Sequence, residues 1–228
     1  MTQTERIITV NQSDNIPGLI TDLIVPERDG GYSKGRDTRE MILLAALSIL
    51  IDEGYRAMSM RRVAAACGMK FGNLTYHYRT REDLVRELLD AVIRSYEHEF
   101  DAIVHSPGHS PEQRLERYCL LVLNDITTRK TTRLFPELWA LSNHDPFVYD
   151  RMHELYARAR RPLLEVVAEM RPDLTEEERE MLTLFISYSM EGSTIFAGHD
   201  KPFTPQMGCL MEVSIEAFKA LVRDFKRQ

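Results

Sequence analysis

Polar, aromatic and basic side chains that could bind DNA are concentrated in one short stretch of the sequence. Asn73, Tyr76 and His77 carry hydrogen-bonding groups and aromatic edges of the kind that contact base edges in the major groove. Lys70 and Arg81 flank them, in positions suited to contacts with phosphates. The spacing therefore indicates a recognition surface, provided that one short helix presents these residues together.

Three helices separated by glycines are predicted to present this surface. Apolar residues fall at i, i+3, i+4 and i+7 on one face of the first helix, residues 38–54. Ser59 is a suitable N-cap for a second helix over 60–66, and the third helix covers 71–78. Gly68 lies in the turn between them and supplies a backbone conformation that other residues avoid. This order of elements predicts a helix-turn-helix unit.

The rest of the sequence is predicted to be helical as well. Periodicity and helix-start signals place further helices at 81–104, 111–130, 135–143, 146–170, 175–197 and 203–225. Pro162 is expected to bend or split the fourth of these. No segment alternates with a period of two residues, so the predicted fold class is all-α.

Three regions follow from these elements. Residues 1–33 contain Pro17, Pro26 and a glycine pair, and they are expected to form a flexible tail. Residues 34–80 form the predicted N-terminal three-helix domain with the helix-turn-helix. Residues 81–228 form a second, C-terminal helical domain.

Charge is distributed unevenly along the 228 residues, whose net charge is −6. Residues 34–81 contain nine basic and four acidic side chains, a net charge of +5, which leaves −11 for the rest. A basic module on an acidic body is typical of a protein that binds a polyanion at one end. A solvated charged face is an equally open interpretation.

Composition excludes several classes of protein. Hydrophobic residues make up 43% and charged residues 28% of the sequence, as in folded globular proteins. The uncharged run 41–51 is too short to span a membrane, and Glu5 and Arg6 precede any apolar stretch, so no signal peptide is predicted. Three dispersed cysteines fit a reducing cytoplasm better than a disulfide framework or a zinc module.

No arrangement of residues indicates catalysis, a metal or a cofactor. The seven histidines lack a convergent spacing for a metal site, and the motifs of hydrolases, nucleotide-binding loops and metalloproteases are absent. Two other classes stay open: a helical small-molecule-binding protein without DNA function, and an all-α enzyme that uses His144 with Asp145 or Glu137.

Residues 38–85 contain a gapless series of short motifs. They are Ile42-x-x-Ala45-Ala46-x-x-x-Leu50, Gly54-Tyr55, Ser59-Met60-Arg61-Arg62-Val63-Ala64, Ala66-Cys67-Gly68-Met69, Gly72-Asn73-Leu74-x-Tyr76-His77-Tyr78 and Arg81-Glu82-Asp83-Leu84. This series resembles the N-terminal domain of the tetracycline-repressor (TetR) family. Three positions depart from the family pattern: Lys70 replaces a small polar residue, Thr75 an aromatic residue and Arg81 a lysine.

The resemblance implies a ligand-responsive transcriptional regulator, a repressor, that acts as a homodimer on a near-palindromic DNA operator. It implies that DNA is contacted from the second and third helices and their flanks, by Ser59, Arg61, Arg62, Lys70, Phe71, Gly72, Asn73, Thr75, Tyr76, His77 and Arg81. Within this set, Arg61 and Arg62 would approach the DNA backbone, and His77 and Arg81 would hold phosphates. A basic arm would extend the surface through Lys34, Arg36 and Arg39.

Residues 81–228 are then expected to bind the effector and to dimerise. Aromatic and methionine side chains recur on several helices, as in pockets for apolar ligands, although plain core packing explains each of them as well. The predicted pocket residues are Phe100, Tyr118, Phe135, Trp139, Met152, Tyr156 and Tyr188. Arg158, Arg160 and Arg161 either attract an anionic ligand or form a solvated face. Apolar stripes on the last two long helices are predicted to meet a second copy of the chain, through Leu182, Phe185, Ile186, Ile215, Phe218, Leu221 and Val222.

Overall fold

The computed structural model describes residues 23–24 and 33–226, and for residues 33 and 34 it describes the backbone alone. The described chain contains α-helices, one short 3-10 turn and no strand, which confirms the all-α prediction. The helices are α1 (Ser33–Glu53), α2 (Met60–Ala66), α3 (Phe71–His77), α4 (Arg81–Val104), α5 (Pro111–Ile126), α6 (Arg129–Ser142), α7 (Pro146–Met170), α8 (Glu176–Ala197) and α9 (Met207–Asp224). None of them is long and apolar enough to cross a membrane.

Helices α1 to α3 form the helix-turn-helix as the glycines and the cap residue predict. Gly54 and Gly68 end α1 and α2 with φ angles of +86° and +63°, which a residue with a side chain rarely adopts. The Ser59 hydroxyl caps α2 by accepting a hydrogen bond from the Arg62 backbone N–H at 3.2 Å. Val63 and Leu74 are fully buried where α2 and α3 pack together. The third helix is thereby fixed with its opposite face outward.

Helix α7 lies at the centre of the second domain, in contact with α4, α5, α6, α8 and α9. The starts of α4, α5 and α8 carry reciprocal capping boxes, in which Thr80, Ser110 and Thr175 are the cap residues. One continuous core of buried apolar side chains runs from α1 to α9. Helix α4 belongs to both domains, because it also packs against α1.

Several predicted helix boundaries are wrong. Helix α5 ends at Ile126 and α6 begins at Arg129, because the Thr128 hydroxyl accepts a hydrogen bond from the Thr131 backbone N–H at 3.2 Å and caps a new helix. Pro136 therefore lies inside α6 instead of at a helix start. Helix α7 continues through Pro162, so the predicted split is wrong, while the alternative of a bend stays a prediction. Helix α1 begins at Ser33, and the last predicted helix is a 3-10 turn (Thr204–Gln206) followed by α9.

Most of the predicted tail lies outside the described residues, and its expected flexibility therefore stays a prediction. The exceptions are Leu23, which packs against the core, Ile24, and Ser33, whose backbone begins α1. The Ile24 backbone N–H donates a hydrogen bond to the Ser95 hydroxyl of α4 at 3.0 Å. This part of the tail therefore lies on the helix that joins the two domains.

Candidate DNA interface and internal cavity

The outer face of α3 presents the polar and aromatic residues singled out in the sequence. Tyr76 is 85% exposed, and Phe71 is also exposed. The Tyr76 and His77 rings meet edge to face with centroids 5.4 Å apart, and the Thr75 hydroxyl donates to the Gly72 carbonyl at 3.0 Å. Exposed neighbours complete the face: Lys70, Gly72 and Asn73. The structure therefore places these predicted contact residues together on one solvent-facing surface.

The arginines of α2 lie beside this face with different partners. The Arg61 guanidinium lies 5.8 Å from the centre of the Phe71 ring, which orients both side chains at the edge of the surface. Arg62 instead donates to Glu53 of α1, with Nε and Oε2 3.2 Å apart. Both arginines remain exposed, so either could reach a phosphate.

Two basic residues that were predicted to reach DNA have interior partners instead. Arg39 is 7% exposed, and its Nε donates to Glu87 of α4 at 2.8 Å. Arg81 donates to the Tyr55 carbonyl, and its guanidinium lies 3.9 Å from the centre of the Tyr55 ring. The periodicity of the sequence could not show that these two arginines bond to residues of other segments within the protein. Of the rest of the predicted arm, Arg36 is exposed on α1, and the side chain of Lys34 lies outside the described residues.

Helix α6 connects the second domain to the helix-turn-helix. The Glu137 carboxylate accepts a hydrogen bond from the Tyr55 backbone N–H at 2.5 Å, directly after α1 ends. It also packs against Gly54, where an added Cβ would lie 2.9 Å from Oε1. Arg129, at the start of α6, pairs with Asp52 of α1 at 2.6 Å. A movement of α6 would therefore displace the segment between α1 and α2.

A cavity lies among α4, α5, α6, α7 and α8, with about 530 Å³ of empty space when the open mouth is included. Four of the predicted pocket residues line it: Phe100, Tyr118, Phe135 and Tyr156. The other lining residues are Ile93, Tyr96, Val122, Asp125, Ile126, Thr131, Leu155, Ala159, Arg160, Ser187, Met190 and Glu191. Helices α4 and α6, which lead to the DNA-binding domain, thus both contribute to the cavity wall.

Three predicted pocket residues lie elsewhere. Trp139 stands behind the wall, where its Nε1–H donates to the Tyr156 hydroxyl at 2.7 Å. Met152 is buried in the core and does not line the cavity. Tyr188 is exposed on the outer side of α8, where its ring meets the Phe185 ring with centroids 5.1 Å apart. An aromatic residue on a helix with two apolar faces cannot be assigned to one of them from its type alone.

Two acidic residues give the cavity its polar character. Asp125 is buried, and it accepts hydrogen bonds from the Tyr96 and Thr131 hydroxyls. Its other carboxylate oxygen lies 3.3 Å from the Lys130 ammonium. Burial, together with the nearby Asp125 charge, raises the pKa of Glu191 to about 7, and the facing Tyr156 hydroxyl partly offsets the rise.

Sequence reasoning missed both acidic residues, although α8 carried a usable signal. Thr183, Ser187 and Glu191 recur every four residues, which places three polar side chains on one face of the helix. Thr183 and Ser187 are buried, so this polar stripe faces inward. A polar stripe on an inward helix face is uncommon in a plain core and indicates a site.

The residues predicted to form the dimer surface are largely internal. Leu182, Ile186, Ile215, Phe218 and Val222 are buried within the single chain, and Leu221 is partly buried. Their stripe packs α8 and α9 onto the rest of the domain, so they are not free to meet a partner. Only Phe185 of this set is exposed.

A different set of apolar residues is exposed on the same two helices. We call it the α8–α9 face, and it comprises Met181, Leu184, Phe185, Tyr188, Ile195, Phe196, Leu210 and Val213. On α8 these side chains follow helical spacing and continue through Gly192. Large apolar side chains exposed together on one surface mark an interaction site.

Two family profiles match the chain. Residues 42–88 match the profile described as bacterial regulatory proteins of the tetR family. Residues 111–206 match the profile described as the C-terminal part of BetI-type transcriptional repressors. The two matches together include the helix-turn-helix and most of the cavity wall.

Individual relatives agree with these profiles. An uncharacterized HTH-type transcriptional regulator in the dhlA 5′ region of Xanthobacter autotrophicus is 26% identical over 179 residues, which is 75% of this chain and 84% of that protein. A proposed TetR-family regulator from Mesorhizobium loti has a similar structure, with a TM-score of 0.67, 16% identity and coverage of 83% of this chain and 98% of that one. A proposed regulator from Saccharomonospora viridis, solved in complex with choline, has a TM-score of 0.65, 18% identity and coverage of 82% and 96%.

Proposed function

The chain belongs to the tetR family of bacterial regulatory proteins, and from this premise we propose that it is a ligand-responsive repressor that binds a near-palindromic DNA operator as a homodimer. The observation that carries the proposal is that α4 and α6 each connect the cavity to the DNA-binding domain. Both helices contact the DNA-binding domain, and both line the cavity.

DNA binding is supported by the outward face of α3. It combines exposed aromatic and amide side chains with flanking cations, the groups that contact bases and phosphates. A recognition helix enters the major groove, and two copies read half-sites about 34–36 Å apart, or a multiple of that distance. One chain presents one such helix, so the proposal requires a dimer.

Dimerisation is supported by the α8–α9 face. Each large apolar side chain left in water forgoes roughly 1.5–3 kcal/mol of burial free energy. A second copy that covers the same face around a two-fold axis would recover that energy. The two-fold axis would also give the operator its near-palindromic form.

The effector site is proposed to be the cavity. Repression is supported by the profile that matches residues 111–206, which describes repressors. Binding of a small molecule is supported by the choline complex of the S. viridis relative. A ligand that binds the DNA-incompetent state better, by about 1–3 kcal/mol, would release the operator. Helix α4 is the proposed lever, because it begins directly after α3 and carries Phe100 into the cavity wall.

Selection of bound sequences from a random DNA library tests the proposal. The expected result is an inverted repeat with half-site centres one or two helical turns apart, bound by a dimer. A small-molecule-binding protein without DNA function would yield no enriched sequence. Enrichment of a single, unrepeated half-site would contradict the proposed dimeric mode.

A further inference from the structure

We propose that the cavity binds a small organic cation, with its charge against the Glu191 carboxylate and its alkyl groups on the surrounding aromatic rings. This inference rests on the proposed function, since it names the chemical class of the effector.

Glu191 carries an acceptor without a partner. Its Oε2 is shielded from solvent and accepts no hydrogen bond from any residue between 33 and 226. A carboxylate removed from water is costly unless a positive charge or hydrogen bonds replace its hydration. The second acid of the cavity, Asp125, adds repulsion to that cost. A cationic ligand would supply the counter-charge.

Asp125 is in a different state, because the protein supplies its partners. Two hydroxyls donate to its Oδ2, and its Oδ1, which accepts no hydrogen bond among the described residues, is paired with the Lys130 ammonium at 3.3 Å. The negative charge that remains for a ligand is therefore that of Glu191. This separates a structural acid from a binding acid within one cavity.

The aromatic lining is continuous and suited to the same ligand. The Tyr118 and Phe100 ring centroids are 4.5 Å apart, and those of Phe100 and Tyr96 are 6.0 Å apart. The series continues from Tyr96 to Phe135 at 6.2 Å and from Phe135 to Tyr156 at 6.3 Å. Aromatic faces attract alkylammonium groups within about 6 Å of a ring centroid, most strongly where water is excluded.

The remaining polar groups favour an organic cation over other ligands. No three His, Cys, Asp or Glu side chains converge among the described residues, so the cavity lacks the ligand set of a metal ion. Among the described lining residues, Arg160 is the one that would favour an anion. Its charge acts on the Tyr118 and Tyr156 hydroxyls, whereas burial and Asp125 dominate at Glu191.

Three probes of similar size and branched shape but different charge test the inference: tetramethylammonium, tert-butanol and pivalate. Trp139, the only tryptophan of the chain, donates to Tyr156 in the cavity wall, so its fluorescence reports binding. The titrations are made at pH 8 and constant ionic strength, where Glu191 is ionised. We expect tetramethylammonium to bind at least tenfold more tightly than either other probe. Absence of tetramethylammonium binding, or tighter binding of tert-butanol or pivalate, would overturn the proposal.

A matched pair of variants locates the charge. Glu191→Gln keeps the shape of the side chain, and it should weaken tetramethylammonium about tenfold while leaving tert-butanol unchanged. Glu180→Gln removes an exposed carboxylate from the same helix and should change neither. Equal binding of tetramethylammonium by both variants would refute the role of Glu191. If Glu191→Gln fails to fold, the ranking of the three probes on the wild-type protein decides alone.

Operator binding by the ligand-free protein separates this inference from the proposed function. Protein that binds its operator but ranks pivalate or tert-butanol first is a regulator with another class of effector. Protein that binds no DNA contradicts the proposed function, whatever the probes show.

Discussion

Tyr76 is the most exposed large apolar residue among the described residues, and its ring meets only the edge of the neighbouring His77 ring among the ring contacts described. We expect Tyr76→Ala to weaken operator binding at least tenfold, or about 1–3 kcal/mol, because contacts to bases are lost. Anisotropy titrations with the selected operator measure the change. Tyr149→Ala is the matched control, since Tyr149 is an exposed tyrosine on α7 outside the DNA-binding domain. Equal affinity of both variants would contradict the assignment of α3 as the recognition helix.

Arg81 is expected to act on stability more than on phosphates. Its guanidinium packs on the Tyr55 ring and donates to the Tyr55 carbonyl, so Arg81→Ala removes a cation–π contact and a charged hydrogen bond. The expected loss in the free energy of unfolding is about 1–3 kcal/mol. Urea denaturation checks it against Arg79→Ala, an exposed neighbour expected to change stability by less than about 0.5 kcal/mol. A smaller loss of unfolding free energy for Arg81→Ala than for Arg79→Ala would contradict this structural role and favour a contact between Arg81 and a DNA phosphate.

Glu191 is expected to lower the free energy of unfolding as the pH rises. Its folded pKa of about 7 lies above the ordinary value of 4.5, so the folded state binds the proton more tightly than the unfolded state. Stability is therefore highest below about pH 4.5 for this group alone, and it falls as the pH rises to about 7. The full effect is on the order of 3 kcal/mol at most.

The measurement compares thermal or urea unfolding of the wild type and Glu191→Gln from pH 5 to pH 8. The variant should lose the downward slope and become the more stable protein at pH 8. Asp125, Arg160 and the tyrosine hydroxyls around the cavity are unchanged in this pair, so their contributions cancel. Parallel pH profiles would show that Glu191 titrates normally.

At the scale of elements, α6 offers a second route from the cavity to DNA besides α4. Thr131 and Phe135 of α6 line the cavity, and Glu137 of the same helix holds the Tyr55 N–H. Glu137→Ala should leave this buried N–H without its acceptor and loosen the joint between α1 and α2 by about 1–3 kcal/mol. Hydrogen exchange at the Tyr55 amide should accelerate accordingly, with a several-fold loss of operator affinity.

Glu137→Gln serves as the control, because its amide oxygen can still accept the bond. It should exchange and bind DNA nearly as the wild type does. If Glu137→Ala matches the wild type in both measurements, α6 carries no signal to the DNA-binding domain.

The sequence predicted an element correctly where residues within that element determine its structure. The helix-turn-helix was predictable because its cap, its glycines and its buried apolar residues each act over a few neighbouring positions. The start of α6 was not, because Thr128 is a weaker start signal than Pro136, and tertiary packing keeps that proline within a helix. Ion pairs between distant residues were also not predictable. No local sequence signal indicates that Arg39 pairs with Glu87, 48 residues further along the chain.

The pocket and the dimer surface show the same limit at α8. This helix is apolar on two faces, and periodicity cannot tell the face that packs inside one chain from the face that meets another. The stripe through Leu182 and Ile186 is the inner face, whereas the exposed stripe passes through Phe185 and Phe196. Assignment required knowing where the other helices lie.

At the scale of the whole molecule, the α8–α9 face predicts the oligomeric state. Ile195→Glu and Phe196→Glu together should yield a monomer at micromolar concentration in sedimentation velocity, because a dimer would bury two new charges in each copy. Leu44→Glu, which changes an exposed leucine on α1, should leave the dimer intact. A wild-type protein that sediments as a monomer would contradict the proposed dimer.

Helix α8 turns one side to the cavity through Ser187 and Glu191 and the other to the α8–α9 face through Tyr188 and Ile195. In the proposed dimer, a single helical rod, about 10–12 Å thick, therefore separates each effector from the neighbouring subunit. The two cavities would then not fill independently. Effector saturation should follow a curve with a Hill coefficient different from 1, and the face-disrupting double variant should restore a simple hyperbola.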